Sequence, residues 1–297
     1  MTSKNVYHIP AMRKELLEYL QLEKGKTVLD CTVGCAGHAE ALLKEIGPNG
    51  RFVGIDTDED ALEIAKDRLK EFGNCILLQG NFRKIDTILG HLKINGVDAI
   101  VLDLGLSSLQ LDSATRGFSF KLDAPLDMRM DKGLNISAFD LVNFLPQEGL
   151  ADILKRYGQE RWHNRIAYAI VRERKKTMIT RTSQLVELIR QVVPYGHTKI
   201  HPATRTFQAL RIAVNDELEA LHEALSKCID YLNIGGRICV ISFHSLEDRI
   251  VKNHFRNFHK DGRIKIITKK PIRPTEEEVS FNPRARSARL RVAERIK

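Results

Sequence analysis

Asp30, Gly34, Gly37, Asp56 and Asp103 are the residues of this chain whose types and spacing could do chemistry. An apolar run ends at Asp30 and passes into Cys31-Thr-Val-Gly34-Cys-Ala36-Gly37-His38, followed at once by a helix-like stretch. A second apolar run, Arg51-Phe-Val-Gly-Ile-Asp56, comes next. Strand, glycine turn, helix and strand ending in an acid is the sequence form of a nucleoside-cofactor pocket. Small residues let the backbone approach a ligand, and the first free N–H groups of the helix face it. The Asp56 carboxylate would then reach ribose hydroxyls, and Asp103 ends a further apolar run at the same edge.

A dinucleotide site would carry G-x-G-x-x-G for the pyrophosphate, but this loop offers only Gly34 and Gly37. An acid ahead of the loop suits a ligand with a positive amino group better than a diphosphate. S-adenosylmethionine has that group, a sulfonium, an adenosine and no phosphate. Each acid also has a plainer explanation. Asp30 could be only a helix N-cap, and Asp103 a turn former ahead of Gly105 and Ser107-Ser108.

These residues need a parallel sheet to hold them. Thr27–Asp30, Arg51–Asp56, Cys75–Gln79 and Asp98–Leu102 read as four strands, with helices over His38–Ile46, from Asp58 or Asp60 to Gly73-Asn74, and around Ile85–Leu89. Short apolar strands alternating with helices imply a sheet covered on both faces. The alternation then stops for about a hundred residues. Ser137-Ala-Phe-Asp140 looks like a capping box, and helices follow near Gly149–Tyr157, Arg161–Lys175 and Ser183–Val192. The segment reads as an all-helical insertion between the fourth and fifth strands. Leu218, Leu221, Leu225, Ile229 and Leu232 then mark a long helix closed by Gly235-Gly236. Arg237–Phe243 is a buried strand, and His244 opens another helix. Arg263–Thr268 and Ala288–Ala293 form an antiparallel closing pair joined by a Pro-rich loop.

The net charge of +9 is unevenly spread. Residues 112–211 hold 17 Lys/Arg against 10 Asp/Glu, and residues 260–297 hold 12 against 5, so each segment is +7 on a body of −5. That is the footprint of a polyanion-binding enzyme, although basic runs are as often merely solvated faces. No stretch approaches the ~20 apolar residues needed to cross a bilayer. Met1-Thr-Ser-Lys-Asn-Val-Tyr-His8 lacks the apolar region of a signal peptide, so a cytoplasmic protein is expected. Cys31 and Cys35 have no second pair at metal-ligand spacing; with Cys75, Cys228 and Cys239 they read as reduced thiols, and no metal is expected.

With these residues assembled, the chain closely resembles the MraW-type methyltransferases, which modify N4 of a decoding-centre cytidine in bacterial 16S ribosomal RNA. The resemblance runs almost end to end. It rests on Asp30-Cys-Thr-Val-Gly-Cys-Ala-Gly-His38, Leu102-Asp-Leu-Gly-Leu-Ser-Ser108, Gln110-Leu-Asp112, Arg116-Gly-Phe-Ser-Phe120 and Pro125-Leu-Asp-Met-Arg-Met-Asp131. It continues through Tyr157-Gly-Gln-Glu160, His201-Pro-Ala-Thr-Arg-Thr-Phe207, Ser242-Phe-His-Ser-Leu-Glu-Asp-Arg249 and Asn282-Pro-Arg-Ala-Arg-Ser287. It implies a class I S-adenosylmethionine methyltransferase: a Rossmann-like doubly wound sheet with an antiparallel closing strand and an all-helical insertion. Residues 1–111 and 212–297 would be the methyltransferase domain, and 112–211 the part that recognises RNA. Cofactor contacts are implied at Ala36, Gly37, His38, Asp56, Phe82, Asp103 and Gln110, beside Asp30 and Gly34 from the loop reading. The family's loop reads Gly-Gly-His where this chain has Ala36-Gly37-His38. The added methyl is tolerable at negative φ and costs about 1 kcal/mol or more at positive φ.

Methyl transfer is an in-line displacement, so alignment supplies much of the rate. The cytosine N4 lone pair is delocalised into the ring, and a hydrogen-bond acceptor on its N–H would help it attack. Asp103 is the candidate for that anchor. His38 reads as a helix-start residue with no acid–base partner beside it, and Ser245 beside His244 lacks the nucleophile elbow of a hydrolase. The target base must leave its stack, so aromatic and arginine surfaces should receive it. Phe118, Phe120, Trp162 and Arg129 are candidates, with Trp162 favouring the core. Arg116, the run Arg172-Glu-Arg174-Lys175-Lys176, His244, and Arg284, Arg286, Arg289 and Arg291 suit RNA contacts, though some tail arginines should pair within their strand. The expected substrate is 16S ribosomal RNA within the 30S subunit or a late precursor, with neither DNA nor membrane. Two other classes compete: a non-catalytic RNA-binding assembly factor with a vestigial pocket, and a nicotinamide oxidoreductase, disfavoured by the missing third glycine.

Overall fold

The computed structural model describes residues 10–194 and 200–297; Met1–His8, weighed above as a leader, lie outside them. Two compact units result, Met1–Ser107 with Leu218–Lys297, and Ser108–Glu217.

The first unit begins with α1 (Arg13–Leu20), β1 (Thr27–Asp30), α2 (Gly37–Ile46), β2 (Arg51–Asp56), α3 (Glu59–Leu69), β3 (Cys75–Gln79), α4 (Ile85–His91) and β4 (Val97–Asp103). In β4, Val97, Ala99, Ile100, Val101 and Leu102 are all buried, as a parallel strand with both faces covered requires. Asp58 caps α3 by accepting the Asp60 N–H, and Ala61, Leu62, Ala65 and Leu69 then turn inward at helical spacing.

The second unit follows β4 with α5 (Ser108–Asp112), α6 (Ala138–Phe144), α7 (Gln147–Gly158), α8 (His163–Arg174), α9 (Thr182–Val192) and α10 (Thr204–Asn215). Ser137 and Asp140 form the reciprocal capping box at the start of α6. α7 ends at Gly158, where an added Cβ would lie 2.6 Å from the Arg205 carbonyl, so α7 and α10 can approach closely only with glycine there. Asn143 is buried and ties α6 to the segment before α9: its Nδ2 donates to the Ile179 carbonyl at 2.9 Å and its Oδ1 accepts the Ile179 N–H at 3.0 Å.

The chain returns to the first unit through α11 (Glu217–Tyr231), β5 (Leu232–Ser242), α12 (Ser245–Lys260), β6 (Ile264–Ile266), α13 (Glu276–Phe281) and β7 (Arg289–Arg295). The sheet order is β3-β2-β1-β4-β5-β7-β6, parallel except for β7, which runs antiparallel to both β5 and β6. This is the doubly wound sheet with an antiparallel closing strand that the sequence predicts. No helix among the described residues is long and apolar enough to cross a membrane.

Three expectations need correction. Leu232 does not end α11. It starts β5 opposite Val97, and the pairing shifts register before Ala99↔Arg237, so Gly235-Gly236 sit in a strand irregularity rather than a helix cap. A Cβ on Gly236 would stand 2.8 Å from the carbonyl oxygens of Asn233 and Asp98, which explains the glycine. The Pro-rich connection holds α13 and a 3-10 turn, Pro283–Ser287. The helices α1, α5 and α10 were not anticipated.

Candidate active site

β1 lies between β2 and β4, where the strand order reverses, and the crevice at such a point is where open α/β sheets bind ligands. Asp30, Asp56 and Asp103 are the last residues of these three adjacent strands. Their surroundings are built largely from backbone. Asp56 Oδ2 accepts the Gly34 N–H at 2.8 Å and Oδ1 accepts the Asp58 N–H at 2.9 Å, so this carboxylate clips the glycine loop to β2. The Val33 N–H donates to the Ile55 carbonyl and the Cys31 N–H to the Val101 carbonyl, both at 2.9 Å. Thr32, absent from the sequence reading, links two of the acids. Its N–H donates to Asp30 Oδ1 at 3.0 Å, while its Oγ1 accepts the Asp103 N–H at 2.6 Å. A hydroxyl residue two positions after a strand-end Asp, the spacing of an Asx turn, was the available signal.

The loop itself is left-handed at two points, Gly34 (φ 50°) and Ala36 (φ 65°, ψ 30°). Ala36 therefore takes the conformation in which its methyl is costly. Gly37 begins α2, and a Cβ there would meet the Pro10 ring at 3.1 Å. The N–H groups of this first turn have no carbonyl within the helix to bond, so they are available at the loop end.

Burial dominates the electrostatics. It pushes Asp30 up to about 7, against the Thr32 N–H bond that lowers it, with Asp103 and Asp56 adding repulsion. Asp56 is pushed to about 6 for the same first reason, opposed by the Asp58 and Gly34 N–H groups. A ligand cation beside them would relieve this cost.

His38 is buried, and its Nε2 lies 3.3 Å from Asp103 Oδ2, a partner the sequence reading had not found. The pair lacks hydrogen-bond alignment. Both imidazole nitrogens and Asp103 Oδ1 are buried without a hydrogen-bond partner among the described residues. Buried polar atoms are rarely left so, and a pocket that holds a polar ligand is a standard explanation. Orphaned acceptors beside clustered carboxylates fit an amino-bearing, cationic nucleoside; the clustered acids would repel a diphosphate. Phe82 opens the 3-10 turn after β3, next to Asn81, whose side chain accepts the Arg83 N–H. Gln110 sits on α5, in the second unit.

Several candidate RNA residues turn out to be used within the fold. Arg116 is buried, and its Nη2 donates to the carbonyls of Arg129 and Met130 at 2.9 Å, with the guanidinium 5.8 Å from the buried Phe118 ring. Arg129 holds Asp127 through two bonds, 2.9 and 2.8 Å, and reaches the Leu134 carbonyl. Arg174 donates to the carbonyls of Val142 and Leu145, capping the C-terminal end of α6. Lys175 and Lys176 are exposed, the latter 3.3 Å from Glu173. Phe120 stacks on His201 with ring centroids 4.6 Å apart. Trp162, favoured above for the core, is only half-buried, with the Arg161 and Arg165 guanidiniums at 5.3 and 4.7 Å from its ring.

In the first unit, His244 caps α12 through Nδ1, which accepts the Glu247 N–H, while buried Glu247 accepts the N–H groups of Phe243 and His244. Arg284 and Arg286 are exposed on the 3-10 turn. Arg289 and Arg291 pair with Asp248 on α12, not within their own strand. All five cysteines are free, and no cluster of three or more potential metal ligands occurs among the described residues.

The chain is similar to the ribosomal RNA small subunit methyltransferase H of Desulforapulum autotrophicum, 48% identical over 97% of this chain and 99% of the relative. The protein of the same name from Syntrophus aciditrophicus is also 48% identical, covering 99% of both chains. A solved structure, TrmN from Thermus thermophilus, aligns with 96% of this chain and 48% of that one at 12% identity and a TM-score of 0.47, too distant to argue from. The model of the MraW methylase family matches residues 5–296, and with relatives this close over nearly the whole length, the chain belongs to that family.

Proposed function

We propose that this protein transfers a methyl group from S-adenosylmethionine to N4 of a decoding-centre cytidine in 16S ribosomal RNA, in the cytoplasm, acting on the small subunit or a late precursor. The observation that carries the reading is the row of strand-end acids around a glycine loop, Asp30 buried and Asp56 and Asp103 half-buried, with buried polar atoms of His38 and Asp103 lacking partners. The names borne by its relatives support a small-subunit ribosomal RNA substrate. The first unit would perform the transfer, and the second, residues 108–217, would recognise RNA.

When bound, S-adenosylmethionine supplies a methyl carbon already activated by a sulfonium. The chain supplies position and charge. Asp30 and Asp56 would offset the cationic charge, and the helix-start N–H groups at Gly37 and His38 would receive a carboxylate. Asp56 can also accept from a ribose hydroxyl while keeping the loop closed, since each carboxylate oxygen has two lone pairs. Asp103 Oδ1 would accept an N–H of the target amine and, as the new N–C bond forms and the methyl–sulfur bond breaks to leave a neutral thioether, the surplus proton. His38 Nε2 lies 3.3 Å from Oδ2. No covalent enzyme intermediate is needed, because bringing the two reacting atoms into line supplies much of the acceleration.

The test is incorporation of labelled methyl groups into 30S subunits and into naked 16S RNA. Incorporation dependent on Asp103 is expected. Tight cofactor binding with no transfer to either substrate would contradict the reading and favour a non-catalytic assembly factor.

A further inference from the structure

α8 presents a face that the methyl-transfer site does not use. Its inner side buries Ile166, Ala167, Ala169 and Ile170. On the outer side, Arg165, Tyr168 and Arg172 follow one another at intervals of three and four residues, which aligns them in one stripe. Arg161 and Trp162, just ahead of the helix, extend it. Tyr168 is 56% exposed. Cations and rings alternate in contact: Arg161 and Arg165 lie over Trp162, and Arg172 is 6.0 Å from the Tyr168 centroid.

Two facts separate this stripe from ordinary surface charge. Arg116, Arg129, Arg174 and Arg211 of this unit are spent on carboxylates or carbonyls, and Arg190 faces the His201 ring. Arg161, Arg165 and Arg172 have no carboxylate within 4.0 Å among the described residues, and Glu173 is taken by Lys176. The stripe also borders a recess of ≈ 280 Å³ between α8 and α9, lined by Arg165, Tyr168, Ala169, Arg172, Gln191 and Val192. The acid nearest in sequence on α9, Glu187, accepts a bond from Gln191. A cationic, aromatic-interleaved face beside a small recess matches one ligand chemistry: phosphates on the guanidiniums and unpaired bases on the rings.

We propose that the α8 stripe Arg161-Trp162-Arg165-Tyr168-Arg172 is a docking track for single-stranded RNA, with the α8–α9 recess taking one nucleotide. It rests on the reading of the protein as an RNA-modifying enzyme and adds where, on the second unit, a strand lies. A duplex would offer its phosphates but keep its bases stacked, so it would use only half of this surface.

Trp162 is the only tryptophan in the chain, so its emission reports on this face without a label. The full-length protein is titrated with a single-stranded RNA oligomer and with a duplex of equal length. Quenching by the single strand, at an affinity at least fivefold better than for the duplex, is expected. R165A/R172A should weaken binding more than tenfold and reduce the slope of log affinity against log salt by about 1.4. Y168A should weaken it roughly tenfold with the slope unchanged, and Y168F should restore it. Each variant is accepted only with an unchanged melting temperature and cofactor affinity, and R165K/R172K, which keeps the charge, provides a second series with an intermediate loss.

RNA binding without quenching, equal response to duplex, or equal quenching by polyglutamate would overturn the proposal. If methyl transfer to ribosomal RNA fails while single strands still quench Trp162, the enzymatic reading falls and the track stands. Transfer intact in R165A/R172A with unchanged RNA affinity has the reverse meaning.

Discussion

At the end of β4, Asp103 gives its N–H to Thr32 Oγ1, faces His38 Nε2 with Oδ2 and keeps Oδ1 buried without a partner. An amide in its place would keep the shape but lose the acceptor charge, so D103N should lower kcat by a hundredfold or more while changing the melting temperature little. Near-normal turnover in that variant would remove Asp103 from the reaction. Ala36 is strained by its own methyl at φ 65°. A36G should therefore raise stability by about 1 kcal/mol in thermal or denaturant unfolding, and a loss of stability would show the strain to be relieved elsewhere. Burial pushes Asp30 up to about 7 and Asp56 to about 6, above the ordinary carboxylate value near 4. The folded state thus holds their protons more tightly than the unfolded chain. Stability from this source is complete below about pH 4 and is lost as pH rises through about 6 to 7. A cationic ligand favours the ionised acids, so affinity for S-adenosylmethionine should rise over the same interval, with proton release measurable by calorimetry in buffers of different ionisation enthalpy. D30N should shrink both effects; affinity that stays flat from pH 5 to 8 in the parent would contradict the assignment.

Among the elements, alternation of short apolar strands with helices made β1 to β4 legible in the sequence, and the strand-end acids with them, whereas the order of the strands comes from the structure. What escaped the sequence was set by distant partners. Thr32 matters because β4 brings the Asp103 N–H to it from 71 positions away, and the His38–Asp103 pair has the same origin. Leu232 continued the helical spacing of α11 and yet starts β5, because pairing with Val97 outweighed that periodicity. α13 had a visible cap in Thr275, whose Oγ1 accepts the Glu278 N–H at 3.1 Å, but the prolines around it dominated the local pattern. Arg116, Arg129 and Arg174 are engaged within the fold for a related reason: charge is visible in a sequence, whereas the carbonyls and carboxylates that consume it are not. Two substitutions test the element-level account. T32V strands the Asp103 N–H and should cost about 1–3 kcal/mol. G236A drives a methyl onto two carbonyl oxygens and should cost at least as much. Unchanged unfolding curves for both would mean that the β1–β4–β5 packing is looser than described.

For the whole molecule, the two basic segments fall in different units. The excess of +7 within residues 112–211 falls in the second unit, and the equal excess within residues 260–297 falls in the first, which also holds the strand-end acids Asp30, Asp56 and Asp103; in the proposed division of labour RNA meets the basic segments and the cofactor meets the acids. RNA affinity should accordingly fall steeply between 50 and 200 mM salt, and cofactor affinity should change far less. Parallel slopes for the two ligands would argue against that division. The central claim is the transfer itself, and nucleoside mass spectrometry of 16S RNA after reaction with isotopically labelled S-adenosylmethionine tests it most directly. The account predicts labelled N4-methylcytidine at one decoding-centre position, absent with D103N. Label on another base, on the cytosine ring carbon or on a ribose, or product formed equally by D103N, would contradict it.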